Sequence, residues 1–545
     1  MNKKSTHSLS VIPTGLSFLV ITLLALGVFF RFANIDTKIY WYDETHTSLR
    51  VSGYTEAEAV QFLSKNQIIT SETLQTFQRP NPERGISKIV QNFATEDAQH
   101  PPLYYLMSSV WMKWFGNSVA VRRSLSAFIS LLSFPAIYWL CLELFQSSMT
   151  GAIAVGLIAI SPIQVLYAQE ARQYSLWTVT ILLSSAALLR AMRLKTKASW
   201  VIYAVTALTS IYTFLFSGFV LVGHGLYVAT VERFRASKIF IAYLLASLAT
   251  LLLFLPWLLV VVQGLSKIQT TTAWTANNMT LPDLIREWIR NLARIFIDWN
   301  SESTNPFVSK AIFYLSALAL LLLVGYSFYF LCRSTSKQTW LFVVILTGCL
   351  GVPLVLSDVF LGGTRSTIGR YLFPCFLGIQ LTVAYTIATK LGASLINDWQ
   401  QKLWQTILFL VVSGGVVSCV ISLQSEVWWT KYYSNRLPAV AEIINQSPTP
   451  LLISDSQTGD LLTLSYLLKP NVQLIVNPLC TNCGMSYPSQ SEVFIPQLSG
   501  NFSDIFFFNL DGHRKWLEKI ATQGDYKIVT SYPNLVNMLW ELEKE

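Results

Sequence analysis

The sequence predicts a polytopic α-helical membrane protein of about eleven transmembrane helices, with interfacial helices after the first span and a small α/β domain at the C-terminal end. Three observations carry this expectation. Of 545 residues, 52% are hydrophobic and 13% charged, whereas a soluble chain carries roughly a quarter charged residues. Stretches 16–30, 239–262 and 311–331 are nearly free of charge and approach or exceed the ~20 residues that cross a ~30 Å hydrocarbon layer. After about residue 424 the long apolar runs stop, and short ones alternate with helically spaced segments.

Apolar runs read against their flanks give spans near 12–31, 124–145, 150–168, 175–192, 199–212, 214–231, 239–262, 307–331, 339–357, 370–391 and 403–423. The first follows Lys3 and Lys4 and lacks a small-residue cleavage site, so it reads as a retained anchor rather than a signal peptide. Between it and the second span lies the polar segment 31–118. Within that segment, residues 101–115 are apolar but open on Pro-Pro, and fifteen residues rise only ~22 Å as a helix. This length suits an interfacial or re-entrant helix.

Charge supports that choice. If 101–115 does not cross, the basic clusters Arg190/Arg193/Lys195/Lys197, Arg233/Arg235/Lys238, Arg333/Lys337 and Lys390/Lys402 share one side with Lys3 and Lys4, as the positive-inside rule requires. If it crossed, all the later clusters would lie outside. The same pattern accounts for the net charge of +9 without nucleic acid. The segments expected to face outward together are the loop bearing Asp43 and Glu44, the turn 167–177, the long loop 263–306, the loop before Arg370 and the tail 424–545. The chain thus divides into a membrane domain, 1–423, and an extracytoplasmic α/β domain, 424–545. In that domain "PTPLLISDSQTGDLLTLSYLLKPNVQLIV" reads strand, helix, strand, and "DIFFFNLDGHRKWLEKIA" with "YKIVTSY" repeats the pattern. About 120 residues are enough for a separate core. Of the seven cysteines, five fall in or beside spans. Cys480 and Cys483 form a lone C-x-x-C, which favours a local disulfide or no role over a metal.

Four constellations carry chemistry. In "YWYDETHTSLR", Asp43 and Glu44 lie just past the first span among Tyr40, Trp41 and Tyr42. Such aromatics settle at headgroup depth, where a partly desolvated carboxylate is expected to be a stronger base than in water. His100 precedes the Pro-Pro of a helix start. In "YAQEARQYSLW", Glu170, Arg172 and Tyr174 occupy a span boundary, where ions are costly unless paired or useful. In "GGTRSTIGRYLFP", Arg365, Arg370 and Tyr371 sit at an outward span end. Orientation disfavours arginine there, while its planar fork suits phosphate oxygens.

The order "WYDE", "HPPLYYL", "SPIQVLYAQEARQYSLW", "RYLFP" resembles the GT-C-type membrane glycosyltransferases of the protein O-mannosyltransferase-like superfamily, glycosyltransferase family 39 type, which includes bacterial lipid A aminoarabinose transferases. The resemblance runs from Trp41 to Pro374, and the α/β tail is similar to the aminoarabinose transferase layout. Those enzymes carry Lys-Pro where this chain has His100-Pro101. The resemblance implies a GT-C-like fold in the cell (inner) membrane, and transfer of a sugar from a polyprenyl-phosphate carrier on the outer face. The acceptor would be a lipid, glycan or protein of the cell envelope. It would make Asp43 the acid that engages the acceptor and put Arg172 or Arg370 near the donor phosphate, with His100, Glu170, Tyr174, Arg365 and Tyr371 as further substrate contacts. No cofactor is required by this reading, although Glu44 leaves room for a divalent cation.

The residues agree with that chemistry. Lipid-phosphate sugar transfer needs a carboxylate within reach of the acceptor hydroxyl and fixed cations for the departing phosphate. Asp43 and Glu44 are the candidate catalytic pair, and because adjacent carboxylates cannot both point at one hydroxyl, Asp43 is favoured as the base. A nucleotide-sugar donor is disfavoured, because no Gly-rich phosphate loop is present. The alternative is a transporter or flippase of lipid-linked or envelope glycans, which would place charge at mid-span in broken helices. A third reading is an assembly protein whose tail binds a partner.

Overall fold

A computed structural model of the chain describes residues 14–65, 67–299, 306–393, 397–481, 483, 502–510, 517, 526–532, 535 and 537–544. Among these, eight helices are long and apolar enough to cross a membrane, or nine counting the bent pair Ser148–Ala159 and Pro162–Ala168. The remaining two predicted spans are the helices Lys197–Thr213 and Ser217–Val231, of 17 and 15 residues. All eleven expected segments are therefore helical, while the count of crossings rests on the last two. The segment expected not to cross forms the 13-residue helix Leu103–Phe115.

Burial separates central from peripheral helices. Tyr174–Leu194 and Phe373–Gly392 are 78% and 72% buried over their apolar windows, against 22% for Lys238–Gln263. The latter leaves Leu244, Leu245, Leu248, Leu251 and Leu252 exposed on its outer face, as a helix bathed in lipid does. The 59° bend in the broken pair falls at Ser161-Pro162, where proline supplies no N–H and cannot continue the helix. The carbonyls orphaned there are taken by Arg31, which donates to Ala159 O at 2.6 Å and Ile158 O at 3.1 Å. This accounts for a buried arginine inside the first span.

The soluble part is a six-stranded sheet: β1 (Ile69–Thr70), β2 (Pro450–Ser454), β3 (Gln473–Val476), β4 (Asp504–Phe508), β5 (Tyr526–Ser531) and β6 (Leu539–Lys544), in the order β1-β3-β2-β4-β6-β5. β2 runs parallel to β3 and β4, joined to β3 across the helix Thr458–Leu464. The predicted strand–helix–strand is present. The helix expected in "DGHRKWLEKIA" lies outside the described residues.

One feature departs from the expected domain division. β1 belongs to the first loop and pairs antiparallel with β3, Ile69 opposite Leu474. A single core joins loop residues Ile39, Trp41, Leu49 and Leu74 to tail residues Leu437, Leu452, Leu474 and Phe506. Loop and tail thus share this apolar interior, while a second cluster that includes Leu451, Ile453, Ile475 and Phe507 is formed by tail residues alone. Cys480 and Cys483 are disulfide-bonded.

Candidate active site

Asp43 and Glu44 lie in the first turn of the helix Tyr42–Val51, where the exposed N–H ends of the peptide dipoles favour negative charge. Neighbours on a helix are about 100° apart, so the two carboxylates diverge.

Glu44 is fully buried. Its carboxylate accepts from Arg123 Nε at 2.8 Å and Nη2 at 2.7 Å, from Lys431 Nζ at 3.1 Å and from the Ala171 backbone N–H at 2.8 Å. Arg123 spends its remaining N–H groups on the carbonyls of Ile35, Lys38 and Ile39. Lys431 also donates to Glu170 Oε1 at 3.2 Å. Two cations and two carboxylates from four separate segments thus form a buried quartet. Burial pushes the Glu44 carboxyl up, but Arg123 and Lys431 outweigh it and hold the group at about 2. Glu170 shifts the other way, because burial raises it more than Lys431 lowers it.

Asp43 is on the other side of the helix, with its side chain 21% exposed. Arg370 Nη1 lies 3.4 Å and Arg172 Nη2 3.9 Å from its Oδ2. The expected rise in basicity does not occur. Burial does push the carboxyl up, but Arg370, Arg172 and His100 together hold it below its ordinary range. The aromatics also differ from expectation. Tyr40 and Trp41 are buried, with Tyr40 between the guanidinium groups of Arg122 and Arg123.

Arg172 donates to Thr47 Oγ1 at 3.0 Å and faces His100 Nε2 at 3.1 Å. A guanidinium only donates, so His100 Nε2 accepts and the ring proton sits on Nδ1, 2.9 Å from Asp97 Oδ1. Asp97 is anchored in turn by Arg50 at 2.9 Å. Burial lowers the His100 pKa despite Asp97. Arg370 is framed by the rings of Trp41, Trp274 and Tyr371, with centroids 5.8, 5.7 and 5.9 Å from its guanidinium carbon.

The fold therefore gathers Asp43, His100, Arg172 and Arg370 at one end of the bundle. Tyr174 lines the back, its ring 5.9 Å from Arg172, and Tyr371 packs edge-on against Phe216. Glu170 is near in sequence but turned into the quartet. Arg365 is engaged elsewhere, with Asp358 at 3.3 Å and Gly362 O at 2.9 Å. Both Glu44 oxygens are taken by N–H donors, and among the described residues no group of three or more His, Cys, Asp or Glu could hold a metal. These residues do not fit a divalent cation.

Sequence reasoning missed Arg123, Lys431, Asp97 and Trp274. Arg123 was within reach, because Arg122-Arg123 open a span on the outward side, the same argument that singled out Arg370. Lys431, 387 residues from Glu44, carries no comparable signal.

This fold is that of the GT-C-type membrane glycosyltransferases, as expected. ArnT from Cupriavidus metallidurans bound to undecaprenyl phosphate is similar over 97% of this chain and 98% of its own, with a TM-score of 0.50 at 14% identity. Its apo form gives 0.52 at 12% over the same shares. An oligosaccharyltransferase from Archaeoglobus fulgidus, tethered with an acceptor peptide, matches 85% of this chain and 64% of its own with a TM-score of 0.44 at 12% identity. No protein-family model and no curated protein matches the sequence.

Proposed function

We propose that this protein is an integral membrane glycosyltransferase that moves a sugar from a polyprenyl-phosphate donor to an acceptor hydroxyl on the extracytoplasmic face of the cell membrane. The observation that carries this reading is a part-exposed carboxylate, Asp43, held between the buried Arg172 and the part-exposed Arg370 at one end of the bundle. Arg172 and Arg370 are two permanent cations against one carboxylate, and their planar forks suit phosphate oxygens. A transporter is disfavoured, because these charges converge at helix ends rather than at the midplane.

The chemistry follows from competition for the arginines. Phosphate oxygens of the donor engage Arg172 and Arg370, drawing them from Asp43. Freed of those cations, the carboxylate regains basicity and accepts the proton of the acceptor hydroxyl. The hydroxyl oxygen attacks the anomeric carbon, and the bond from that carbon to the phosphate oxygen breaks. Its electron pair leaves with the phosphate, against donors already in place. Glu44, locked by Arg123 and Lys431, takes no part as nucleophile, and its role is to hold the helix that carries Asp43. His100, oriented by Asp97, receives Arg172 on its lone pair and fixes the angle of that guanidinium. Arg365 staples its own loop.

The deciding experiment supplies the purified protein with radiolabelled polyprenyl-phosphate sugars and follows which is consumed. Consumption of none, across carriers and acceptors, would sink the proposal. Orientation is tested separately: cysteines introduced in 31–100 should react with an impermeant reagent in intact cells, and those in 190–197 should not. The reverse pattern would move the site to the cytoplasm. Arg370→Lys should retain charge but lose the fork, giving partial activity, and Arg370→Ala should lose more. Equal activity in all three proteins would reduce Arg370 to a headgroup anchor.

A further inference from the structure

The quartet around Glu44 has a member from an unexpected place. Glu44, Arg123 and Glu170 all come from the first third of the chain. Lys431 comes from beyond the last membrane helix, in the short turn Trp429–Ser434 that leads into the sheet. Its side chain is 1% exposed and lies 3.1 Å from Glu44 and 3.2 Å from Glu170.

The turn itself is anchored. The indole N–H groups of Trp428 and Trp429 both donate to Asp298 Oδ2 at 2.7 Å, and Arg294 lies over the Trp429 ring at 3.6 Å. Just beyond it, the tail holds the helix of Asp43 directly. The Tyr42 hydroxyl donates to Gln457 Oε1 at 2.8 Å, and the Tyr42 N–H faces Ser434 Oγ at 3.4 Å.

We propose that Lys431 is a positioning residue for the transfer reaction, and that through it the C-terminal region completes the active site. The proposal rests on the function assigned above. Lys431 acts along two short routes. Glu44 adjoins Asp43, so holding Glu44 sets where Asp43 points. Glu44 also accepts the Ala171 N–H, and Ala171 adjoins Arg172, so the same contact sets the cation opposite. Without Lys431, two buried carboxylates face the single charge of Arg123. An uncompensated buried charge is relieved by movement or protonation, and either response displaces Asp43 relative to Arg172. A misplacement of about 1 Å costs roughly 10²-fold in rate.

The test uses the full-length protein with Lys431→Met and with the charge-balanced pair Lys431→Met/Glu170→Gln. Two readouts are taken: kcat on the lipid-linked sugar that the wild type consumes, and hydrogen exchange in segments 42–51 and 167–173. The single variant should lose about 10²-fold in kcat and exchange faster in both segments, with far less change in affinity for undecaprenyl phosphate. The double variant should recover most of both, because Arg123 and Glu44 again balance. If the single variant does not fold, the double variant carries the test, and wild-type exchange and kcat in it support the proposal. Wild-type kcat or wild-type exchange in Lys431→Met overturns it, as does a double variant no better than the single. A wild type inactive on every donor would refute the assigned function, while the exchange data would still decide whether Lys431 positions the helix.

Discussion

Asp43→Asn is expected to lower turnover by ~10²-fold or more, because the amide keeps size and hydrogen bonding but cannot accept a proton. Binding of undecaprenyl phosphate should not weaken, and a modest gain is the expected direction. The native carboxylate occupies Arg172 and Arg370, and removing its charge removes the phosphate's competitor. Glu44→Gln should differ in kind, disturbing the fold around the helix more than the proton transfer. Turnover and lipid-phosphate affinity for both variants, measured in one membrane preparation, separate these outcomes. Full turnover in Asp43→Asn would leave the carboxylate as a counter-ion and remove it from the mechanism.

Arg123→Met should be the most destabilising single change near the site, by about 3–5 kcal/mol, the usual cost of breaking a buried ion pair from one side. It leaves Glu44 with Lys431 and the Ala171 N–H and strands the carbonyls of Ile35, Lys38 and Ile39. Denaturant or thermal unfolding in a fixed detergent checks this, and a loss below about 1 kcal/mol, the range of surface pairs, would contradict the geometry. The same pair sets a pH dependence. Glu44 is held at about 2 against an ordinary 4.5, so it binds its proton more weakly folded than unfolded. Its stabilising contribution is complete above pH ~4.5 and is lost as pH falls toward ~2. Arg123→Met should flatten that acid limb.

Much of the fold was legible in the sequence, because the bilayer imposes a simple rule. A long charge-free run must be a helix in lipid, and the shorter run 101–115 also forms one, Leu103–Phe115. All eleven apolar segments became helices, and the strand–helix–strand at 450–476 followed from its spacing. The candidate site was half legible. Asp43, Arg172 and Arg370 stood out because ions at span ends are costly, and that cost is visible without coordinates.

What the sequence by itself determined about this protein is therefore local: which segments are helical, and which residues bear a charge where charge is expensive. Only the tertiary structure decided how those charges are matched. Nothing in the adjacency of Asp43 and Glu44 says that one is part-exposed between two arginines and the other sealed between Arg123 and Lys431. That division depends on segments 79 and 387 residues away, and on a tail whose core is shared with the first loop. Pairing energies depend on distance in space, and sequence periodicity reports only which face of its own helix a residue occupies.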